Sequence, residues 1–61
     1  SGYIVALCNE YDRPLQERIR FLLEYDEAQM LNPETGESTK LESDTIVLDL
    51  GAGKCQLLVT R

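Results

Sequence analysis

The segment LNPETGE, residues 31–37, holds the residue types that most restrict the backbone of this chain. Pro33 fixes its own φ and favours an extended Asn32, while Gly36 adopts a positive φ without steric cost. Asn before Pro, followed by polar residues and Gly, is typical of a type I turn ending in a left-handed residue, which closes many hairpins. The segment therefore predicts a reversal of the chain, with a strand over residues 28–31 leading into it.

Length and charge limit what the chain can be. Its 61 residues form one small domain, and a domain of this size buries only about 60% of the surface that its unfolded chain exposes. The net charge is −5 and leaves no basic patch for nucleic acid. No apolar run reaches the ~18 residues that span a bilayer, and no signal-peptide pattern is present. The absence of an initiator Met and the start at Ser1-Gly2, interpreted as a cloning remnant, suggest a domain excised from a longer protein.

Strand signals occur at both ends of the chain. Residues 3–8 are a continuous apolar run and predict a buried strand, and the polar residues 9–14 predict a connection. Residues 45–50 alternate in polarity, with Ile46, Leu48 and Leu50 on one face, and predict a strand. Residues 55–60 predict a closing strand with Cys55, Leu57 and Val59 on one face. Residues 51–54, Gly-Ala-Gly-Lys, predict a turn that joins these two strands into an antiparallel hairpin.

The middle of the chain supports two interpretations. Leu, Gln, Glu and Arg are good helix formers, and Pro14 suits the first turn of a helix over residues 14–31. Against this, Ile19, Phe21, Leu23 and Tyr25 alternate with mostly polar residues, as in a half-buried strand. The polar residues 37–44, with Leu41 as an anchor, are predicted to cross an edge or an end of the sheet. The fold expected is a small antiparallel sheet or β-sandwich of about five strands, and the alternative is an α+β fold of βαββ order.

The order of these features resembles the C-terminal all-β module that follows the catalytic domain of many glycoside hydrolases. The resemblance covers nearly the whole chain and rests on order and spacing, with Asn32 where Asp is usual. The matching residues are Asn9 and Glu10, residues 32–37, Leu48 to Leu50, and Leu57 to Val59. It implies a small β-sandwich that packs against a catalytic domain and has no catalytic residues of its own. From the residues themselves we also expect no cofactor-binding and no metal-binding residues.

The residues themselves point to no catalytic site. The chain has no His, and two Cys are too few for a four-ligand zinc site. Residues 51–54 lack the first Gly of a phosphate-binding loop, which is Leu48 here, and the hydroxyl residue after Lys, which is Cys55. A turn is the better interpretation of that segment.

Four acidic residues are candidates for the carboxylate pair of a glycosidase. Glycoside hydrolysis needs two carboxylates about 5 to 9.5 Å apart in a cleft. Glu24, Asp26 and Glu27 lie close together in the sequence, and Asp49 faces away from the leucines of its strand. We expect solvated surface acids, because a chain this small has little room for a cleft.

Cys8 and Cys55 lie on the first and last predicted strands, which are candidates for neighbours in the sheet. A disulfide between them is one alternative. We expect free thiols, because both cysteines sit in apolar runs, where cysteine behaves as a small buried hydrophobe.

Two functions are compatible with these features. The first is a noncatalytic module that supports or orients the catalytic domain of its parent chain through an apolar face, with Leu22 and Tyr11 as candidate contacts. The second, suggested by the helix alternative, is an acidic module that binds a basic protein. Direct carbohydrate binding is disfavoured, because there is no Trp and there are only three Tyr.

Overall fold

The computed structural model describes residues 2–22 and 24–61, which form two antiparallel sheets packed on a shared core. The strands are β1 (Ile4–Cys8), β2 (Leu15–Arg20), β3 (Ala28–Leu31), β4 (Ser38–Lys40), β5 (Thr45–Leu50) and β6 (Cys55–Thr60). One sheet has the order β1-β6-β3-β4, and the other pairs β2 with β5. The predicted all-β fold is confirmed, with the short β4 as an additional strand within the segment expected at an edge. No helix long and apolar enough to cross a bilayer occurs in the described part of the chain.

The alternative helix over residues 14–31 is wrong, because this segment contains β2 and β3 and no helix among its described residues. Leu15 and Ile19 on β2 face Leu50 and Ile46 on β5, and this pairing overrides the weak helix preference of the sequence between them. The alternation predicted beyond β2 is only partly tested. Phe21 is buried, whereas Leu23 lies outside the described residues.

The reversal at residues 32–37 is confirmed as the hairpin between β3 and β4. The Asn32 N–H donates to the Glu37 carbonyl at 2.8 Å, and the Gly36 N–H donates to the Asn32 carbonyl at 2.8 Å. Asn32 Oδ1 also accepts the Glu34 N–H at 2.9 Å, and Gly36 has a φ of 78°. Asn32 and Gly36 therefore have separate tasks: the amide side chain holds the start of the loop, and the glycine supplies the left-handed residue at its end.

The predicted hairpin between β5 and β6 is wrong, although the bounds of both strands and the turn between them are confirmed. The Lys54 N–H donates to the Gly51 carbonyl at 3.1 Å, and Gly53 has a φ of 68°. This turn carries the chain from β5 in the two-stranded sheet to β6 in the four-stranded sheet. Every connection except the β3–β4 hairpin crosses between the sheets in this way.

The expectation that the first and last strands are neighbours is confirmed, because β1 pairs antiparallel with β6. Two expectations about these strands are wrong. Cys8 and Cys55 face each other in the register and form a disulfide. Strand β1 is an edge strand with alternating exposed and half-buried residues, so it is not buried on both sides.

The core lies between the two sheets. Phe21, Ala28 and Leu58 form its buried centre, and seven partly buried side chains pack around them: Val5, Leu7, Ile19, Tyr25, Met30, Leu41 and Ile46. Leu58 on β6 is 2% exposed. With so few fully buried side chains, each contributes a large fraction of the stability of so small a domain.

Replacing Leu58 with Ala should therefore lower the free energy of unfolding by roughly 2–5 kcal/mol, since the change removes buried apolar surface and leaves a cavity. Leu22→Ala is the matched control, because Leu22 is 84% exposed, and it should change stability by less than about 0.5 kcal/mol. Urea denaturation followed by circular dichroism measures both. A Leu58→Ala chain that is unfolded without urea agrees with the prediction, and one as stable as the wild type contradicts it.

Reducing the disulfide should also destabilise the chain, because the bond closes a loop with a sequence separation of 47. The loss of chain constraint is worth about 4 kcal/mol in the chain-entropy description. Denaturation with and without reductant, and the Cys8→Ser/Cys55→Ser variant, measure this loss. The intact mass should rise by about 2 Da on reduction. An unchanged mass would mean free thiols and would contradict the disulfide.

Candidate interaction face

The outer face of the four-stranded sheet, which points away from the core, is largely apolar. The registers align Ile4, Val59, Gln29 and Lys40 in one row across the sheet. A second row contains Ala6, Leu57, Leu31 and Ser38. We call the apolar part the outer patch and define it as Ile4, Ala6, Leu31, Leu57 and Val59. The disulfide lies at its end on the same face, because Cys8 and Cys55 continue the alternation of β1 and β6.

The outer patch is not covered by the described chain. Ile4 is 73% exposed, Ala6 is exposed, and Leu31, Leu57 and Val59 are half-buried among their neighbours in the sheet. An antiparallel sheet with one solvated face normally alternates apolar and polar residues along each strand. Strand β6 instead presents Leu58 to the core and Leu57 and Val59 to the outside. This pattern is typical of a strand that is buried on both faces.

A polar margin borders the outer patch on the β4 side. The Ser38 hydroxyl lies 2.6 Å from Gln29 Oε1, and Lys40 extends the same margin. The outer face of the sheet is therefore apolar along β1 and β6 and polar along β4. Interfaces between proteins commonly combine an apolar centre with a polar rim in this way.

The two contact residues expected from the sequence, Leu22 and Tyr11, do not share a face. Tyr11 lies in the loop before β2, near the end of β5, where Asn9 contacts the Leu50 and Gly51 carbonyls. Leu22 follows the opposite end of β2, where Arg20 pairs with Thr45. Both side chains are exposed, but the length of β2 separates them. They do not form one docking surface.

Asn9 positions the Tyr11 loop from a buried site. Its Oδ1 accepts the Tyr11 N–H at 2.9 Å, and its Nδ2 donates to the Arg13 carbonyl at 2.8 Å and to the Gly51 carbonyl at 3.1 Å. A buried amide whose donors and acceptor are satisfied fixes the geometry of the segments it joins. Asn9 therefore links the end of β1 to the turn before β6. The Arg13 guanidinium lies 6.0 Å from the centre of the Tyr11 ring, within the range of a cation–π contact.

The acidic residues considered for catalysis remain at the surface. Glu24, Asp26, Glu27 and Asp49 are exposed. Glu27 forms an ion pair with Arg61, with Oε2 lying 2.6 Å from the guanidinium Nη2, and Asp49 lies on β5 opposite Gln16. In residues 2–22 and 24–61, no group of three or more His, Cys, Asp or Glu side chains is placed to hold a metal ion.

The Gly-Ala-Gly-Lys segment acts as a turn, as interpreted from the sequence. Lys54 extends towards the β3–β4 hairpin, where its Nζ lies 2.9 Å from Glu34 Oε1. Both side chains are more than half exposed, so the pair adds little to stability. The Lys54 ammonium, which would contact the phosphate in a phosphate-binding loop, therefore contacts the Glu34 carboxylate here.

A groove of about 390 Å³ opens between the sheets on the β4 and β5 side. Its apolar lining includes Met30, Leu41, Ile46 and Leu48. Of the described residues that line it, Asp49 alone is ionisable. The groove therefore does not supply the pair of carboxylates that glycoside hydrolysis requires. The groove therefore offers mainly apolar surface.

Comparison of the chain with protein-family models, curated proteins and solved structures finds no match.

The sequence patterns above did not predict the outer patch, although the sequence contains a signal for it. Residues 3–8 and 57–59 are continuous apolar runs, so they place apolar side chains on both faces of a strand, and the first run predicted a strand buried inside the domain. In a chain with too few elements to cover both faces of its larger sheet, the same signal indicates a surface available to a partner.

Proposed function

We propose that this chain is a noncatalytic accessory β-module of a carbohydrate-active enzyme, a glycoside hydrolase, and that it packs on the catalytic domain through its outer patch. Its role is to support or orient that domain. The single observation that supports packing on another domain is that β6 is apolar on both faces, with Leu58 in the core and Leu57 and Val59 on the outer face.

The glycoside hydrolase assignment rests on the order of motifs in the sequence. The Asn-Pro-Glu-Thr-Gly-Glu segment forms the hairpin turn that such a module would need at this place. Asn9, at the first matching position, is buried and joins two backbone segments, the loop before β2 and the turn after β5. Both matching elements have structural tasks, which agrees with an accessory role.

The outer patch also favours a protein neighbour over a sugar. Carbohydrate sites usually present exposed aromatic platforms. Tyr25 packs against Phe21 in the core, with ring centres 6.0 Å apart. Tyr3 precedes β1 and Tyr11 follows it, so the length of that strand separates the two exposed rings. The acidic module that binds a basic protein was suggested by a helix, and no helix occurs over residues 14–22 or 24–31.

The proposal predicts that a charge on the outer patch uncouples the module from the rest of its parent protein. Val59→Lys in the full-length protein should split one cooperative thermal transition into two, because a lysine cannot be buried unpaired at the interface. Val47→Lys is the matched control, since Val47 is 58% exposed on the outward side of β5. Differential scanning calorimetry, with glycosidase activity followed during heating, measures both variants.

The two parts of the proposal fail separately. If Val59→Lys and Val47→Lys leave the transition equally cooperative, the outer patch is not the docking surface. If the parent protein hydrolyses no glycoside in a panel of aryl glycosides and oligosaccharides, the carbohydrate-active assignment fails even where docking is confirmed. Melting of the isolated 61-residue variants checks that both lysines leave the module folded.

A further inference from the structure

Strand β1 forms one end of the four-stranded sheet and pairs with β6 on one side only. Its sequence, Ile-Val-Ala-Leu-Cys, contains no charged residue and no proline. Unpaired strand edges attract other strands, and proteins normally protect them with charges, prolines, short strands or covering segments. Strand β1 has none of the protections that its own sequence could provide.

The hydrogen-bond pattern identifies which backbone groups of β1 are free. The Thr60 N–H donates to the Tyr3 carbonyl at 2.9 Å, and the Asn9 N–H donates to the Lys54 carbonyl at 2.9 Å. Because bonding alternates along an antiparallel strand, odd-numbered residues of β1 face β6. Ile4, Ala6 and Cys8 direct their N–H and C=O groups to the open edge, where no backbone partner for them occurs within residues 2–22 and 24–61.

The other edges of the molecule carry protections of the usual kind. Strand β4 is three residues long and ends in Lys40. Strand β2 contains Glu17, Arg18 and Arg20, and β5 contains Asp49. Among the edge strands of the described chain, β1 alone is both uncharged and longer than three residues. The open edge is therefore a feature of one particular strand rather than of the whole sandwich.

We propose that β1 pairs with β1 of a second copy of this chain, antiparallel about a twofold axis at Ala6, so that the two four-stranded sheets become one continuous sheet. In this register Ala6 lies opposite Ala6 of the second copy, and Ile4 lies opposite Cys8. Each free N–H of these three residues then meets a free C=O of the other copy, and each free C=O accepts from a free N–H. The pairing is self-complementary, as a twofold interface requires. It does not depend on the proposed enzyme family.

Side chains and charge also suit a second copy. The exposed Ile4 side chain lies beside the disulfide of the other copy on the outer face, and the small Ala6 residues meet at the axis. The nearest acid along the chain is Glu10, four residues beyond Ala6 and two beyond the end of β1. At about 3.3 Å per residue, the two Glu10 residues lie roughly 26 Å apart, well beyond the Debye length of about 8 Å at physiological salt. The net charge of −5 is therefore not concentrated at the contact.

Two measurements on the wild-type chain test the proposal. Sedimentation equilibrium should show reversible dimers as the concentration rises to about 1 mM, the dissociation constant of a weak association. Amide hydrogen exchange by NMR should show added protection with concentration at Ile4, Ala6 and Cys8. The Val5 and Leu7 amides already face β6 and should not change. A chain that stays monomeric, or protection that rises equally at all five amides, overturns the proposal.

Ala6→Pro tests the edge directly, because proline removes an N–H that β6 does not use and is tolerated at strand edges. Dimerisation should weaken about tenfold or more, since the symmetric contact loses two hydrogen bonds. Ala52→Pro is the matched control: Ala52 lies in the turn before β6, and its variant should dimerise like the wild type. Dimers that survive Ala6→Pro and are lost in Val59→Lys would place the contact on the outer patch and overturn the proposal. If Ala6→Pro does not fold, the wild-type exchange pattern decides.

Discussion

The pairing of β6 with two strands at once is the interaction on which the rest of the structure depends. Strand β6 lies between β1 and β3 in the larger sheet, and its Leu58 side chain reaches the buried centre of the core. Because most connections cross between the sheets, few neighbouring segments hold each other in place locally. The central position of β6 joins the N-terminal strand, the β3–β4 hairpin and the C-terminus into one sheet. The same position leaves its outward residues, Leu57 and Val59, for the outer patch.

A chain of 61 residues has little apolar surface to bury. The start of β6 is also held in place by a disulfide and by hydrogen bonds to Asn9. The disulfide joins Cys55 to β1, and the Asn9 side chain donates to the Gly51 carbonyl just before the strand. The Asn9 N–H also donates to the Lys54 carbonyl. A covalent bond and a satisfied buried amide therefore fix one end of β6. Small domains commonly need such additional links.

The sequence was informative where a local rule applies. Asn32, Pro33 and Gly36 predicted the hairpin because turn residues restrict their own backbone, and the bounds of β5 and β6 followed from polarity. The sequence was misleading where pairing depends on distant segments. Turn residues at 51–54 are the same whether the strands they join pair with each other or enter different sheets. The state of Cys8 and Cys55 depends on a register that neither strand encodes alone. The separation of Leu22 from Tyr11 follows from the length of β2, which helix propensity concealed.

The proposed docking surface and the proposed dimer edge both follow from β6 at the centre of its sheet and β1 at the border. The measurement that tests this arrangement most directly is a nuclear Overhauser spectrum of the wild-type chain. In antiparallel strands, the two Cα atoms of a non-hydrogen-bonded pair lie about 4.5 Å apart. Their Hα protons are close enough to give a strong cross-peak in this spectrum. With β6 between β1 and β3, Hα–Hα cross-peaks are expected from Ala6 to Leu57 and from Met30 to Leu58, one on each side of β6. Hα–Hα contacts between β5 and β6, as in a hairpin, would contradict it.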